Sequence, residues 1–279
     1  MDGQGVLVVI GIGSMGLATV RRCGSGARVL LADVSDPALD TAAAALTADG
    51  HDVTTHRTDV SDPASVESLA TAAGALGAVR GVVHTAGLSP VQARADRVVA
   101  VDLLGAAHVL DSFGRVVASG GAGVVISSMS AHLAPPPPPD DEADLACASV
   151  ADLASLPCVR AAASGDAGLA YAFSKRAVII RVAAATQGWG RRGARINSIS
   201  PGVISTPMGQ AELAGPSGAF MRQMVDGSAA RRLGTPDDIA SAAEFLLSSR
   251  ASFITGIDLL VDGGVVAAMR SGHVDFGGL

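Results

Sequence analysis

The fold is decided by the stretch Val6-Leu7-Val8-Val9-Ile10-Gly11-Ile12-Gly13-Ser14-Met15-Gly16. Its first five residues form an unbroken apolar run that stops at glycine, which predicts a fully buried strand. Because a helix is predicted over 17–23, the three glycines lie between strand and helix, as in a dinucleotide-binding turn. The first glycine permits the turn, the second lets the backbone approach a pyrophosphate, and the third lets helix pack on strand. The candidate cofactor contacts here are Gly11, Gly13, Ser14, Met15 and Gly16.

A carboxylate follows at the distance that such a turn requires. A second strand is predicted over 28–31 and leads to Asp33, 17 residues past Gly16. A carboxylate at this point can accept hydrogen bonds from the adenosine ribose and repels a 2′-phosphate, which favours NAD over NADP. The alternative is that Asp33 is a strand-end residue or caps the helix before Pro37.

Strand and helix patterns alternate along the following residues. Further strands are predicted at 51–57, 79–84 and 123–126, and further helices at 37–50, from 61 onward and at 95–114. The segments that follow these strands are Asp59-Val60, Thr85-Ala86-Gly87 and Ser127-Ser128-Met129-Ser130. The alternation predicts right-handed crossovers and a single α/β domain over 1–279: a doubly wound, Rossmann-type parallel sheet of about seven strands with helices on both faces. Ligands of such sheets bind beyond the carboxyl ends of the strands.

Composition narrows the class of function. Of the 279 residues, 49% are hydrophobic and 3% aromatic, which suits buried strands under alanine-rich helices. A net charge of -6 with scattered basic residues argues against a nucleic-acid surface and favours a small-molecule substrate. The three cysteines lack metal-ligand spacing, so we expect no metal and a reducing compartment. Because no apolar run is long enough to span a bilayer, we expect a soluble, cytoplasmic protein.

Tyr171 and Lys175 lie four positions apart in a predicted helix. At this spacing the two side chains share one face, so the ammonium can reach the space around the phenol. A free tyrosine has a pKa of about 10, and a nearby cation favours its charged form. The pair therefore predicts a basic phenol, although a half-buried tyrosine beside a lysine would leave the same pattern.

With the serine cluster ahead of this pair, the sequence resembles the short-chain dehydrogenase/reductase family of the classical type. Further matches are the segments Asn197–Thr206, Gly234–Ala240, Ile254–Gly256 and Val261–Gly264. The resemblance covers roughly residues 5–267. It implies an NAD-dependent oxidoreductase that interconverts a secondary alcohol and a ketone, acting as a homo-oligomer, either tetramer or dimer. The alternatives are a non-redox enzyme with tightly bound NAD (an epimerase, dehydratase or cyclase) and a silent NAD-binding protein.

The resemblance also implies roles for particular residues. Tyr171 would be the general acid/base, Lys175 would lower its pKa and hold the nicotinamide ribose, and Ser128 would donate a hydrogen bond to the substrate oxygen. The glycines and Thr206 would bind the pyrophosphate, and Ile204 the carboxamide. The remaining implied cofactor contacts are Asp33, Asp59, Val60, Ala86, Gly87, Pro201 and Gly202.

Three local departures from the family pattern affect the site. The glycine turn is one residue shorter than usual, and His84-Thr85 replaces an asparagine pair. We interpret His84 as a packed strand-end residue. Asp102 stands where the family has an asparagine that supports a proton relay, so we include it among the catalytic candidates. Its charge near Lys175 would raise the pKa of both Lys175 and Tyr171 and favour activity at higher pH; the alternative is a structural buried carboxylate.

The largest departure is an insert at about residues 132–167, ahead of Tyr171. It contains a proline run and an acidic helix start, and Leu145, Val150, Leu153 and Leu156 could line one face of a short helix. We interpret it as a lid or pocket wall over the substrate; the competing interpretation is a surface or oligomer-contact excursion.

The segment after Thr206 carries apolar side chains that suggest a fairly apolar substrate: Met208, Leu213, Phe220, Met221 and Met224. The tail over 265–279 has no role that the sequence indicates.

Overall fold

A single parallel sheet of seven strands forms the centre of the computed structural model, which describes residues 5–273. The strand order is β3-β2-β1-β4-β5-β6-β7. The strands are β1 (Val6–Ile10), β2 (Arg28–Asp33), β3 (Asp52–Arg57), β4 (Val79–His84), β5 (Val117–Ile126), β6 (Arg195–Pro201) and β7 (Asp258–Val261). The predicted doubly wound fold is therefore confirmed, and residues 1–4 and 274–279, the end of the tail, lie outside the described residues.

Helices cover both faces of this sheet. The first half of the chain forms α1 (Ser14–Cys23), α2 (Asp36–Ala48), α3 (Pro63–Leu76), α4 (Ala95–Val98), α5 (Gly105–Val116), α6 (Ser130–Leu133) and α7 (Pro139–Cys147). The second half forms α8 (Val150–Leu153), α9 (Pro157–Ala163), α10 (Ala167–Arg191), α11 (Pro207–Ala214), α12 (Gly218–Gly227), α13 (Pro236–Leu247) and α14 (Val265–Arg270). A π-helical stretch, Val99–Leu104, joins α4 to α5, and a 3-10 turn, Ser249–Ala251, follows α13.

The residues of β1 are all apolar because both faces of this strand are buried. Val8 belongs to a cluster with α3, α5 and α10, whereas its neighbour Val9 belongs to a cluster with α1, α2 and α13. Successive side chains of a strand point to opposite faces, so a strand between two helical layers reads as a continuous apolar run. The pattern is not general: β3, at the edge of the sheet, is largely polar and exposed, and β6 buries Asn197, Ser198 and Ser200.

Two predicted elements differ from the structure by more than a few residues at their ends. β5 begins at Val117 rather than at residue 123, because the glycines at 120 and 121 interrupt the apolar pattern without ending the strand. The helix predicted over 95–114 contains the π-helical stretch, which no sequence pattern indicated. Helix starts follow ordinary capping chemistry: Ser35 accepts a hydrogen bond from Ala38 N, and Asp62 accepts one from Ala64 N.

The insert forms the three short helices α7, α8 and α9, which pack on the side of α4, α5 and α10 that faces away from the sheet. Leu145 and Leu153 are fully buried in this secondary core, and Val150 and Leu156 pack against it. Arg181 of α10 anchors the end of α7, because its guanidinium donates to the carbonyl of Ala148 at 2.7 Å and to two preceding carbonyls.

This packing corrects the interpretation of the insert as a lid. Within 132–167, Leu133 alone lines the cleft beside Tyr171, and the three helices lie elsewhere. The physical reason is the burial of apolar surface. Packed against α5 and α10, side chains such as Leu145 and Leu153 are completely removed from water, whereas a lid over an open cleft would leave part of their surface exposed. The four leucine and valine positions also belong to separate short helices or their flanks rather than to one helix.

We expect the substitution Gly123→Ala in β5 to destabilise the protein by about 1–3 kcal/mol through overpacking. An added Cβ would lie 2.5 Å from Ile196 Cδ1 and 2.7 Å from the Trp189 ring. Trp189 cannot move easily, because it is 1% exposed and its Nε1 donates to Leu110 O at 3.1 Å. The measurement is the free energy of unfolding from denaturant titration.

The matched control is Gly74→Ala on α3, where an added Cβ would meet nothing within 4 Å. Alanine is the better helix former, so this variant should gain about 0.5–1 kcal/mol. Equal unfolding midpoints for the two variants would contradict the packing argument.

Candidate active site

The carboxyl ends of the central strands form a cleft at one edge of the sheet. Strand β1 leads to Gly11, β4 leads to Ala86, and the two segments meet where the strand order reverses direction. Ser128 follows β5, and the first turn of α10 brings Tyr171 to the same place. Residues far apart in sequence thus meet at the topological switch point of a doubly wound sheet.

Tyr171, Lys175 and Ser128 line one part of this cleft. The four-residue spacing on α10 puts Lys175 Nζ 5.5 Å from the centre of the Tyr171 ring, as the helix period predicts. The Ser128 hydroxyl lies close enough to the phenol to lower its pKa. Its neighbour Ser127 has a different task, because its Oγ donates to the backbone carbonyl of Lys175 at 2.8 Å.

Asp102 lies in the π-helical stretch and forms a buried ion pair with Lys175. The ammonium is 3.1 Å from Asp102 Oδ2, and Asp102 Oδ1 accepts a hydrogen bond from Leu88 N at 2.8 Å. Burial raises the pKa of the Asp102 carboxyl, and Lys175 and the Leu88 N–H oppose that effect. Asp102 therefore ties the loop after β4 to the lysine on α10.

The pKa values of the lysine and the tyrosine both lie above their ordinary values. Burial lowers the pKa of the Lys175 ammonium, but Asp102 and Tyr171 raise it by more. Burial raises the pKa of the Tyr171 phenol; Lys175 and Ser128 lower it, and the charges of Asp102 and Glu212 raise it. Lys175 therefore lowers the pKa of Tyr171, as predicted, but burial and the charges of Asp102 and Glu212 raise that pKa by more.

A second part of the cleft, of about 430 Å³, contains most of the predicted cofactor contacts. The candidates that line it are Gly11, Gly13, Ser14, Met15, Asp33, Asp59, Val60, Ala86, Gly87 and Thr206. It adjoins the part beside Tyr171, because Met15, Gly87 and Thr206 line both. Pro201, Gly202 and Ile204 line only the part beside Tyr171. Gly16 lines neither part; a Cβ there would lie 2.2 Å from Gly11 O, so this glycine lets α1 pack on the turn.

The glycine turn fits a dinucleotide. Gly11 has a φ of 87°, and a Cβ on it would lie 2.4 Å from Ala86 N, so only glycine suits the position. Gly13 faces open space, with nothing within 4 Å of an added Cβ. The N-terminus of α1 has no side-chain cap and no acidic residue in its first turn. Its free N–H groups and dipole therefore face a groove with room for a pyrophosphate.

Asp33 lies at the end of β2 and borders the same groove. Its Oδ2 accepts a hydrogen bond from Ile12 N and its Oδ1 one from Ser35 N, each at 3.0 Å. These bonds hold the carboxylate at the groove, and Ser35 rather than Asp33 caps α2. Asp59 is held in a similar way, because the Ser61 hydroxyl and N–H bond to its Oδ1 and keep its pKa below the usual range.

Sequence reasoning missed several residues of the cleft. Thr85 Oγ1 donates to Gly11 O at 2.6 Å and so fixes the glycine turn. Gln92 and Arg97 line the second part of the cleft, beside the glycine turn, and Glu212 of α11 lines the part beside Tyr171. Only Thr85 had a usable signal, its place directly after a buried strand. The others come from loops and helices whose approach to the cleft depends on tertiary packing.

Apolar side chains line the part of the cleft beyond Tyr171, of about 410 Å³. Four of the five predicted residues are among them: Met208, Phe220, Met221 and Met224. Leu213 is instead buried in the core beneath α11 and α12. His84 lines neither part of the cleft. It is 1% exposed, its ring nitrogens form no hydrogen bond with any residue of 5–273, and burial lowers its pKa to about 3.

Other features of residues 5–273 add no competing chemistry. A cavity of about 880 Å³ lies between α5, α10 and residues 146–151, and none of the candidate site residues lines it. In this part of the chain, the His, Cys, Asp and Glu side chains form no group of three placed to hold a metal ion. The same residues include no helix that is both long and apolar enough to cross a bilayer.

Comparison with known proteins agrees with this geometry. A family model described as Enoyl-(Acyl carrier protein) reductase matches residues 11–138 and 145–266. The short-chain dehydrogenase/reductase bsc3 of Alternaria brassicicola is 40% identical over 265 residues, which cover 95% of this chain and 96% of that protein. A 3-alpha-hydroxysteroid dehydrogenase/carbonyl reductase of Comamonas testosteroni is 34% identical and covers 76% of this chain and 86% of its own.

A solved structure is similar over the same extent. It is the 3-alpha-hydroxysteroid dehydrogenase from Pseudomonas sp. B-0831 complexed with NADH, which is 29% identical with a TM-score of 0.73 and covers 95% of this chain and 98% of its own. The family model and these relatives span most of the chain, and the fold and the order of motifs match as well. The chain therefore belongs to the short-chain dehydrogenase/reductase family, as the resemblance in its sequence predicted.

Proposed function

We propose that this protein is an NAD-dependent dehydrogenase/reductase that interconverts a fairly apolar secondary alcohol and its ketone. The observation that carries the proposal is the convergence of Ser128, Tyr171 and Lys175 on an apolar cleft that adjoins a glycine-lined groove. The names of the relatives, which include dehydrogenases and a carbonyl reductase, support the same chemistry. The NADH of the neighbouring structure and the position of Asp33 support NAD as the cofactor.

The chain's own residues would move one proton in the reaction. In the oxidative direction the Tyr171 phenolate takes the proton of the substrate hydroxyl, while Ser128 donates a hydrogen bond to the same oxygen. When bound, NAD supplies the acceptor for the hydride that leaves the substrate carbon. In the reductive direction the phenol returns the proton to the ketone oxygen. Lys175 stabilises the phenolate, and Asp102 holds Lys175 in place.

We expect Tyr171→Phe and Ser128→Ala to lower kcat by roughly 10²–10⁴-fold and 10²–10³-fold, respectively. Turnover is followed as NADH absorbance with substituted cyclohexanols as probe alcohols. The affinity for NADH should change little, since neither change removes a group from the glycine turn.

The contrast variant is Ser127→Ala. It loses the hydrogen bond to Lys175 O and should lower stability by about 1 kcal/mol rather than remove activity. If Ser127→Ala and Ser128→Ala lost kcat equally, the assignment of Ser128 would be wrong.

We expect Asp102→Asn to lower the pKa of Tyr171. The negative charge of Asp102 opposes formation of the phenolate, so its removal favours the charged phenol and extends oxidation to lower pH. Tyr171 is the single tyrosine of the chain, so ultraviolet absorbance of the phenolate reports its titration directly.

The control is Asp111→Asn, an exposed aspartate on α5 that pairs with Arg115. It should leave the titration of Tyr171 and the pH–rate profile unchanged. A higher pKa in Asp102→Asn would mean that Lys175 had lost its proton and would contradict the expected role of Asp102.

We expect Asp33→Asn to reduce the preference for NAD over NADP by about tenfold, which corresponds to 1.4 kcal/mol. Asparagine can keep one of the bonds from Ile12 N and Ser35 N through its single carbonyl oxygen, and it removes the charge that repels a 2′-phosphate. The measurement is the Kd of the four nucleotides NAD, NADH, NADP and NADPH. Asp40→Asn, an exposed site on α2, makes the same charge change away from the groove and should have no effect. Equal NADP binding in wild type would refute the cofactor assignment.

A further inference from the structure

Glu212 is the one ionisable side chain lining the part of the cleft beside Tyr171 that has no charged partner among residues 5–273. The two other charged residues there, Asp102 and Lys175, neutralise each other. Glu212 is half-buried on α11, and its neighbours in the lining include Met208, Phe220 and Met221. A carboxylate in such surroundings is unfavourable unless a hydrogen-bond donor meets it.

The described residues offer few hydrogen-bond donors to the Glu212 carboxylate. Burial raises the pKa of Glu212, and the Ser89 hydroxyl is close enough to oppose that effect. Ser89 is fully buried, yet its Oγ lies outside hydrogen-bond geometry with any group in the described part of the chain. A buried hydroxyl and a half-buried carboxylate therefore lie side by side without a full set of partners.

Glu212 also lies within electrostatic reach of the catalytic tyrosine, because its charge raises the pKa of Tyr171. A substrate whose oxygen meets Tyr171 and Ser128 would extend along the apolar lining toward α11. The far end of such a molecule would meet a carboxylate. A hydroxyl group satisfies that carboxylate, a methyl group leaves it without a donor, and a second carboxylate is repelled.

We propose that Glu212 is a specificity-determining residue that accepts a hydrogen bond from a substrate hydroxyl remote from the reacting carbon. The preferred substrates are then diols or hydroxyketones on an apolar frame, and anionic substrates are excluded. This inference rests on the proposed function, since it names the substrate class of the same cleft.

The test uses three probe cyclohexanols that differ only across the ring from the reacting hydroxyl, where they carry a methyl, a hydroxyl or a carboxylate group. A second series on a decahydronaphthalene frame covers a longer separation. For wild type, kcat/KM with NAD should favour the diol over the methyl compound by about tenfold in at least one series, with the carboxylate lowest.

Two variants separate charge from shape. Glu212→Leu should abolish the preference for the diol, and Glu212→Gln should keep part of it while raising kcat/KM for the carboxylate probe. Glu142→Gln, on the exposed side of α7, is the matched control and should behave as wild type. An unchanged ratio of diol to methyl compound in Glu212→Leu would overturn the proposal.

Binding separates failure of this inference from failure of the proposed function. The Kd of each probe for the NADH-bound protein is measured by quenching of NADH fluorescence, with no need for turnover. Absence of turnover with every probe would count against the dehydrogenase function alone. If wild type held the diols no more tightly than the methyl compounds, the role of Glu212 would be refuted whether or not the probes react.

Discussion

The central strands of a doubly wound parallel sheet are buried on both faces, so charged side chains that can act on a ligand lie at the carboxyl ends of these strands. Every residue of β1 is buried, and alternate side chains contact helices of the two layers. An ionisable group in the middle of such a strand would need a buried partner on one face. The chain instead carries Asp33, Asp59 and Ser128 just at or beyond strand ends. Because all strands run in one direction, these residues meet at the same edge.

The buried ion pair between Asp102 and Lys175 shows how this edge is organised. Removing two charges from water is unfavourable, and their attraction repays it only with good geometry and further hydrogen bonds. Here the pair is 3.1 Å apart, and Asp102 also accepts a hydrogen bond from Leu88 N. The ion pair fixes the position of Lys175 near the Tyr171 ring, and through Asp102 it connects the loop after β4 to α10. Together with burial, the charge of Asp102 raises the pKa of Tyr171, so the protonation of the phenol at a given pH depends on this ion pair.

The two parts of the cleft differ in character. Glycines and the carboxylates Asp33 and Asp59 line the part beside the glycine turn, where the N-terminus of α1 offers free N–H groups. Methionines and a phenylalanine line the part beside Tyr171, where Glu212 is a carboxylate outside the Asp102–Lys175 ion pair. The insert, which is the longest departure from the family pattern, adds a second small core on the outside of α5 and α10. It therefore packs against the helical elements that carry Asp102 and Tyr171, and its helices do not cover the part of the cleft beside Tyr171.

Local sequence patterns were enough to predict the doubly wound sheet, the glycine turn, the strand-end position of Asp33 and the shared helix face of Tyr171 and Lys175. These features depend on local periodicity and on short spacings, which a sequence contains directly. Three features followed only from the folded structure: the insert packs away from the cleft, Asp102 lies in a π-helical stretch, and Glu212 borders the part of the cleft beside Tyr171. Those outcomes depend on how distant elements compete to bury apolar surface, and no local pattern encodes that competition.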